Sequence, residues 1–154
     1  MCAFFMTSQT IVINTTPSVP RGIYLRDNNV SIERGDLVLL HPPDTPFFAD
    51  ARKFGLVPYG LGKGAYGYLI KYVVGMEGDV VELDDKGVII NGERQPNSTR
   101  QELGFDSPCL AHRQRLGPHG CWCMTSHPKS FDSRYFGVIN EAAIVATLKP
   151  LWVE

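Results

Sequence analysis

Short runs of apolar residues, separated by turn-forming residues, recur along most of the chain. The sequence contains 15 glycines and 11 prolines, and short apolar runs bounded by such residues are typical of β-strands. The predicted strands are residues 22–26, 37–40, 68–79, 80–83, 88–90 and 143–148. Residues 80–83 and 88–90 flank a turn, so we expect a hairpin that extends the sheet of the preceding strand. A short helix is predicted at residues 50–54. This pattern predicts a mainly β fold with one or two short helices.

A lysine lies in the middle of the apolar run at residues 68–79. Side chains alternate between the two faces of a strand, so Lys71 shares a face with Leu69 and Val73. Both faces of the run are apolar, which indicates a strand covered on both sides. Burial lowers the pKa of a lysine, and a neutral lysine amine is a general base. The alternative is a lysine whose ammonium group reaches solvent at the edge of the strand.

Upstream of this strand, Ser18 lies in a segment stiffened by Pro17 and Pro20. Proline fixes its own φ and pushes the preceding residue toward extended conformations, so Ser18 is held on a non-helical segment. A serine is a poor nucleophile without a base within hydrogen-bond reach, and a desolvated lysine is one such base. Ser18 and Lys71 are therefore a candidate catalytic pair. The alternative for the serine segment is a simple turn.

Three segments in order carry a resemblance to a known family. They are Ser-Val-Pro-Arg-Gly-Ile-Tyr from Ser18, Ile-Lys-Tyr-Val-Val-Gly-Met-Glu-Gly-Asp around Lys71, and Ser-Phe-Asp-Ser-Arg-Tyr-Phe-Gly at residues 130–137. Together they resemble the three conserved boxes of type I signal peptidases. The short first box is most similar to that of the TraF-type pilin-processing peptidases of conjugative transfer. The match spans about residues 14–152. It departs from the family at Val19, where general signal peptidases usually carry methionine, and in lacking a recognisable membrane anchor.

The resemblance implies coiled antiparallel β-sheets and a serine–lysine catalytic dyad. Ser18 would be the nucleophile and Lys71 its general base. Thr16 would help the N–H of Ser18 to stabilise the oxyanion, an interaction of roughly 3–4 kcal/mol in a transition state. The alternative for Thr16 is an ordinary β-branched strand residue.

The resemblance also assigns supporting roles within the third box. Ser130 would orient Lys71, while Asp132 and Arg134 would pair and brace the loop beside the dyad. The alternative for Asp132 and Arg134 is an exposed ion pair, which contributes less than about 1 kcal/mol to stability.

The implied substrates are exported proteins cut after small residues, above all a conjugative pilin precursor. The acyl-enzyme would be resolved by water or, as in TraF-type enzymes, by an amine of the substrate, which circularises the pilin. The implied location is the periplasmic face of the bacterial inner membrane, against the membrane surface, and no cofactor is implied. A self-cleaving repressor-type peptidase is an alternative, but the sequence has neither its helix-turn-helix nor its Ala-Gly or Cys-Gly linker.

The length, net charge and hydropathy of the chain indicate its domain organisation and limit its partners. A chain of 154 residues is near the usual size of one domain, and its net charge of −1 gives no indication of a nucleic-acid partner. No apolar run approaches the roughly 20 residues that span a bilayer. We therefore predict an N-terminal tail or anchor remnant at residues 1–13 and a single catalytic domain at residues 14–154.

Cysteines and histidines cluster in residues 109–127. The cluster consists of Cys109, His112, His119, Cys121, Cys123 and His127. Zinc selects such ligands, but the spacing differs from the usual paired Cys-x-x-Cys form, and no metal site is assigned. For a protein outside the cytoplasm, a disulfide from Cys109 to Cys121 or Cys123 is the more natural expectation. Free thiols, and a zinc-stabilised β-domain that binds a partner without catalysis, are the alternatives.

Overall fold

The computed structural model describes residues 10–61, 63–109 and 112–154. These residues form a mainly β structure with two antiparallel sheets and two short α-helices, which confirms the predicted fold class. No helix in the described ranges has the length and apolar character needed to cross a bilayer.

The elements follow one another along the chain as short strands with few helices between them. They are β1 (Thr10–Asn14), β2 (Gly22–Asp27), β3 (Leu37–Leu40), α1 (Pro46–Lys53), β4 (Leu69–Gly75), β5 (Val80–Asp84), β6 (Gly87–Ile90), β7 (Glu93–Arg94), β8 (Arg113–Arg115), β9 (Gly120–Met124), α2 (Ser133–Phe136), β10 (Ile139–Asn140) and β11 (Ile144–Val153). The main sheet has the strand order β1-β2-β11-β3-β4-β9-β10, and the second sheet has the order β7-β6-β5-β8.

Strand β4 lies inside the main sheet, between β3 and β9. Every residue of β3 and of β9 is buried, so β4 is flanked on both sides by core strands. Within β4 the residues that share a face with Lys71 are buried, and the alternate residues are half-buried. Lys71 lies opposite Val38 in the β3–β4 register. The face on which the sequence places Lys71, together with Leu69 and Val73, is therefore the buried face of the folded strand.

The hairpin formed by β5 and β6 is present as predicted, but it does not extend the sheet of β4. It belongs to the second sheet, because a turn after Gly75 redirects the chain. In this turn, Asp79 Oδ2 accepts from the N–H of Met76 at 2.8 Å. The apolar face of the hairpin then packs against the Trp122 side of β9. The hairpin buries its apolar face in this position, which accounts for its place in the second sheet and not in the sheet of β4.

Helix α1 begins earlier than the sequence predicted. Thr45 caps its N-terminus by accepting from the N–H of Phe48 at 3.3 Å, and Pro46 occupies the first turn, where its missing N–H costs nothing. The helix ends at Lys53, just before Gly55 with its positive φ of 76°. Its Phe48 ring packs against Phe131, so the helix supports the third box from behind.

The predicted N-terminal segment at residues 1–13 falls largely outside the described residues, which begin at residue 10. The part that is described belongs to β1, which pairs with β2 from Thr10 to Asn14. Residues 10–13 are therefore an edge strand of the main sheet and not a tail, because they pair with β2 and the side chain of Val12 packs against a core cluster. The assignment of residues 14–154 to one catalytic domain stays a prediction.

Candidate active site

A cleft of about 790 Å³ opens beside β4, and residues far apart in the sequence meet along its walls. The turn between β1 and β2 contributes Ser18 and Thr16, β4 contributes Lys71, and the loop before α2 contributes Ser130. We call the turn at residues 14–20 the serine loop. The cleft therefore brings together one residue from each of the three sequence boxes, namely Ser18, Lys71 and Ser130.

Lys71 is buried, with only 4% of the residue exposed. Its Nζ donates to Ser130 Oγ at 3.1 Å. The alternative of a lysine that extends to solvent is therefore wrong. Burial lowers the pKa of Lys71 to about 8, because the ammonium form loses its hydration. Asp132 and Cys123 act in the opposite direction on this pKa, and Arg134 lowers it further.

Ser18 is half-buried in the serine loop, where it lines the cleft with Lys71. Its neighbour Val19 is buried in the core with Tyr24, and the hydroxyl of Tyr24 donates to the carbonyl of Pro20 at 2.6 Å. These contacts anchor the end of the loop that follows the serine. In the structure the amine of Lys71 is hydrogen-bonded to Ser130, and its hydrogen bond does not go to Ser18.

Asn14 holds the serine loop together, and the sequence did not single it out. Its buried amide Nδ2 donates to the carbonyls of Thr16 at 2.9 Å, Val19 at 3.1 Å and Pro20 at 3.1 Å. Its Oδ1 accepts from the N–H and the hydroxyl of Thr16. One side chain thus ties both ends of the turn around Ser18. A signal was available in the sequence, because Asn14 is the polar residue on the inward face of the alternating run Ile-Val-Ile-Asn.

Thr16 lies next to the cleft but directs its hydroxyl hydrogen elsewhere. Its Oγ1 donates to Asn14 Oδ1 at 2.7 Å, so this hydrogen is engaged within the serine loop. The residue is exposed and lies just after β1, and it is therefore not an ordinary strand residue. A role as an oxyanion donor requires the hydroxyl to rotate away from Asn14.

Asp132 and Arg134 form a fully buried ion pair behind the cleft. Arg134 Nε contacts Asp132 Oδ1 at 2.8 Å, and a second nitrogen contacts Oδ2 at 3.0 Å. The guanidinium also donates to the carbonyls of Thr125 at 2.9 Å and Asn97 at 2.8 Å. The alternative of an exposed surface pair is therefore wrong. The pair joins the end of β9 to the loop that carries Ser130.

The expected disulfide from Cys109 is not formed. Cys109, Cys121 and Cys123 are free and buried. Strand β9 explains this: Cys121 and Cys123 point to one core cluster, while Cys109 packs in the other cluster with Trp122. The alternation of side chains along β9 thus places the potential partners on opposite faces of the strand.

The histidines and cysteines of residues 109–127 do not converge either. Across the described ranges, no group of three or more histidine, cysteine, aspartate or glutamate side chains lies close enough to hold a metal ion. Of the cluster, only His127 lines the cleft.

Residues 1–152 match the family model described as signal peptidase, peptidase S26. A plasmid transfer protein TraF of Escherichia coli is 34% identical over 144 residues, which covers 90% of this chain and 81% of that protein. A conjugal transfer protein TraF of Agrobacterium tumefaciens is 34% identical over 143 residues, covering 91% and 81%.

Among solved structures, a signal peptidase I from Enterococcus faecalis matches with a TM-score of 0.45 and 16% identity. The match covers 78% of this chain and 98% of that one.

Proposed function

This chain belongs to the signal peptidase family S26, and from that premise we propose that it is a serine endopeptidase with a Ser18/Lys71 dyad. The observation that carries the proposal is a buried lysine with a lowered pKa that lines the same cleft as a loop-held serine. Perturbed lysines in clefts are typical of catalytic bases. Membership of the family and similarity to the TraF relatives support a peptidase-like role, and the catalytic dyad is what we propose beyond it.

In the proposed mechanism, Lys71 acts as a neutral amine. A neutral amine has two hydrogens and one lone pair, so Nζ can donate to Ser130 Oγ while its lone pair takes the proton of Ser18 Oγ. Ser130 would thereby orient the base. The Ser18 oxygen then attacks the carbonyl carbon of the substrate, and a tetrahedral oxyanion forms.

The intermediate collapses as the peptide C–N bond breaks. The ammonium of Lys71 returns its proton to the leaving amine, which leaves an acyl-enzyme on Ser18. Water then attacks the ester carbonyl and loses a proton to Lys71. As the ester bond to Ser18 Oγ breaks, Lys71 returns this proton to the serine oxygen, which releases the carboxylic acid product and regenerates Ser18. If an amine of the substrate attacks in place of water, the product is circular.

The oxyanion requires donors from the serine loop. The Ser18 N–H supplies one, and Thr16 supplies the second if its hydroxyl leaves Asn14 Oδ1 when substrate binds. Asn14 would then act as a positioning residue that holds the loop in the attacking conformation. Asp132 and Arg134 would fix the Ser130 loop and thereby the orientation of Lys71.

The names of the relatives, which are plasmid and conjugal transfer proteins, support a substrate that takes part in conjugation. We propose that the protein processes exported proteins, in particular a conjugative pilin precursor, at the periplasmic face of the membrane. Attack of a substrate amine on the acyl-enzyme would circularise the pilin, and residues 14–154 are the proposed catalytic domain.

The test is incubation of the purified protein with a membrane-embedded pilin precursor, followed by mass spectrometry of the products. The wild type should release a truncated or circular product, and Ser18→Ala should release none while keeping the wild-type melting temperature. Ser31→Ala, at an exposed serine outside the cleft, is the matched control and should process normally. Processing by Ser18→Ala at the wild-type rate would refute the dyad.

A further inference from the structure

The charged side chains that line the cleft are all basic. Besides Lys71, its lining contains Arg26, His127 and Lys129, and no aspartate or glutamate among the described residues lines it. The residues outside the described ranges contribute no carboxylate side chain, because residues 1–9, 62, 110 and 111 include neither Asp nor Glu. The chain as a whole is balanced, with 15 basic and 16 acidic residues. The positive lining is therefore a local property of this cleft.

Two of these side chains lie beside the candidate catalytic residues. His127 and Lys129 belong to the turn that carries Ser130, whose N–H donates to the carbonyl of His127 at 3.1 Å. The N–H of Lys129 donates to His127 Nδ1 at 3.2 Å. An imidazole that accepts at Nδ1 keeps its hydrogen on Nε2, so His127 retains a donor. The turn thus brings a cation and a further N–H donor next to the Lys71–Ser130 hydrogen bond.

Lys129 and Arg26 differ from several other basic residues, which form ion pairs with carboxylates. Arg34, Arg94 and Arg113 each pair with a carboxylate within 4 Å. Within the described part of the chain, Lys129 forms no such pair. Arg26 donates from Nε to Asn28 at 2.5 Å, and its guanidinium lies 5.8 Å from the centre of the Tyr68 ring. Neither contact neutralises its charge.

We infer that the substrate presents a carboxylate within the cleft, close to the bond that is cut, and that Lys129 binds it. Attraction between opposite charges at a partly enclosed site favours such a ligand. Among the residues that the structure describes, the lining contains no carboxylate that would repel the carboxylate of the ligand. The ligand chemistry is that of an acidic peptide, with the carboxylate coming from an Asp or Glu side chain or from a free C-terminus. This inference rests on the proposed peptidase function, since it names the substrate class of the same site.

The experiment compares short alanine-rich fluorescent peptides that carry one Glu, Gln or Lys at successive positions, each with a free or an amidated C-terminus. Wild-type protein should favour the peptide that carries the recognised carboxylate over its neutral counterpart by roughly five- to tenfold in kcat/KM, and the preference should shrink with added salt. A fall in kcat/KM on amidation alone, with equal values for Glu and Gln peptides, would assign the carboxylate to the C-terminus. A fall on Glu-to-Gln exchange alone would assign it to a side chain.

Charge reversal identifies the residue. Lys129→Glu should reverse the order, so that the Lys peptide becomes the better substrate. Lys86→Glu makes the same change in net charge at an exposed position in the turn between β5 and β6 and should keep the wild-type order. A kcat/KM that changes neither on Glu-to-Gln exchange nor on amidation of the C-terminus, or an unchanged order in Lys129→Glu, would overturn the inference.

A binding measurement keeps this test separate from catalysis. Ser18→Ala protein should bind the Glu peptide more tightly than the Gln peptide in fluorescence anisotropy, even if neither protein cuts any peptide. Selective binding without cleavage by the wild type would refute the peptidase function and leave the acidic subsite standing. Cleavage without charge selectivity would do the reverse.

Discussion

The Lys71 side chain exchanges water for an apolar face of β4 when the chain folds, and its pKa falls from 10.5 to about 8. The charged form is therefore less stable in the folded protein than in the unfolded chain. A shift of this size corresponds to a free energy on the order of 3 kcal/mol. Because the folded pKa is the lower one, the destabilisation is fully present below about pH 8. It decreases as pH rises to 10.5 and is absent above that value.

The first prediction replaces this lysine with an apolar residue of similar volume. Lys71→Met should be inactive, yet equally or more stable than the wild type near pH 7, because no ammonium has to be desolvated. Its advantage in unfolding free energy should disappear as pH approaches 10.5. Thermal unfolding measured from pH 7 to pH 10 tests this, with Lys86→Met as an exposed control. A variant much less stable at pH 7 would mean that Lys71 is a charged structural partner.

The second prediction concerns the pH dependence of wild-type activity. Catalysis needs the neutral amine, so kcat/KM should rise with pH through an apparent pKa near 8 and then level off. The groups that act on this pKa are Asp132, Arg134 and Cys123, all buried near the amine. A pH–rate profile on a peptide without ionisable side chains measures it. A profile that is flat from pH 6 to pH 10 would exclude Lys71 as the base.

The third prediction concerns Asn14, whose side chain makes five hydrogen bonds within the serine loop. Asn14→Asp keeps the acceptor but places a carboxylate oxygen against backbone carbonyls. We expect a loss of roughly ten- to a hundredfold in kcat, because small displacements of a nucleophile are costly. The apparent pKa of the pH profile should stay near 8, since Lys71 is untouched. Asn29→Asp, at an exposed position outside the cleft, is the matched control.

A global structural effect would give a different result. If Asn14→Asp lowered kcat only in proportion to the fraction of unfolded protein, its activity would return on cooling or on addition of a stabilising osmolyte. A persistent loss of kcat in fully folded protein identifies a positioning role.

At the scale of elements, the third box depends on the buried pair that joins β9 to the loop before α2. Asp132 also caps α2 by accepting from the N–H of Arg134 at 3.2 Å. The predicted bracing role thus has a physical basis in shared contacts. The Ser130 loop and the strand end at Thr125 are held by the same guanidinium.

The fourth prediction removes one member of this pair. Asp132→Ala leaves the guanidinium of Arg134 buried without its partner and should lower the free energy of unfolding by about 3–5 kcal/mol. Asp132 also raises the pKa of Lys71, so the milder variant Asp132→Asn should move the activity profile to lower pH. Chemical denaturation and a pH–rate profile measure the two effects. Asp84→Asn, in the exposed pair with Arg94, should change neither appreciably.

At the scale of the whole molecule, the two core clusters on either side of β9 decide the state of the cysteines. Burial raises the pKa of Cys109, raises that of Cys121 to about 11 and raises that of Cys123 further. Thiols that stay protonated and buried react slowly.

The fifth prediction follows from this arrangement. A reducing agent should leave the melting temperature unchanged in protein made under oxidising conditions, since no cross-link joins these three cysteines. Alkylation followed by mass spectrometry should label Cys109, Cys121 and Cys123 only after denaturation. A reduction-sensitive melting temperature together with a cross-linked peptide that contains Cys109 would contradict the structure.

The sequence by itself determined most strands and the face on which Lys71 lies, because strand alternation and turn residues act over a few neighbouring positions. It also determined that Ser18 lies on a stiff turn, through the local restraint of two prolines. Only the tertiary structure decided that the hairpin at residues 80–90 enters a second sheet, and that Cys109 lies on the opposite face from its expected partners. It alone revealed the hydrogen bonds of Asn14 and the burial of the Asp132–Arg134 pair. These features depend on contacts between segments that lie far apart in the chain. A local pattern of residues does not encode which distant segments will pack against each other.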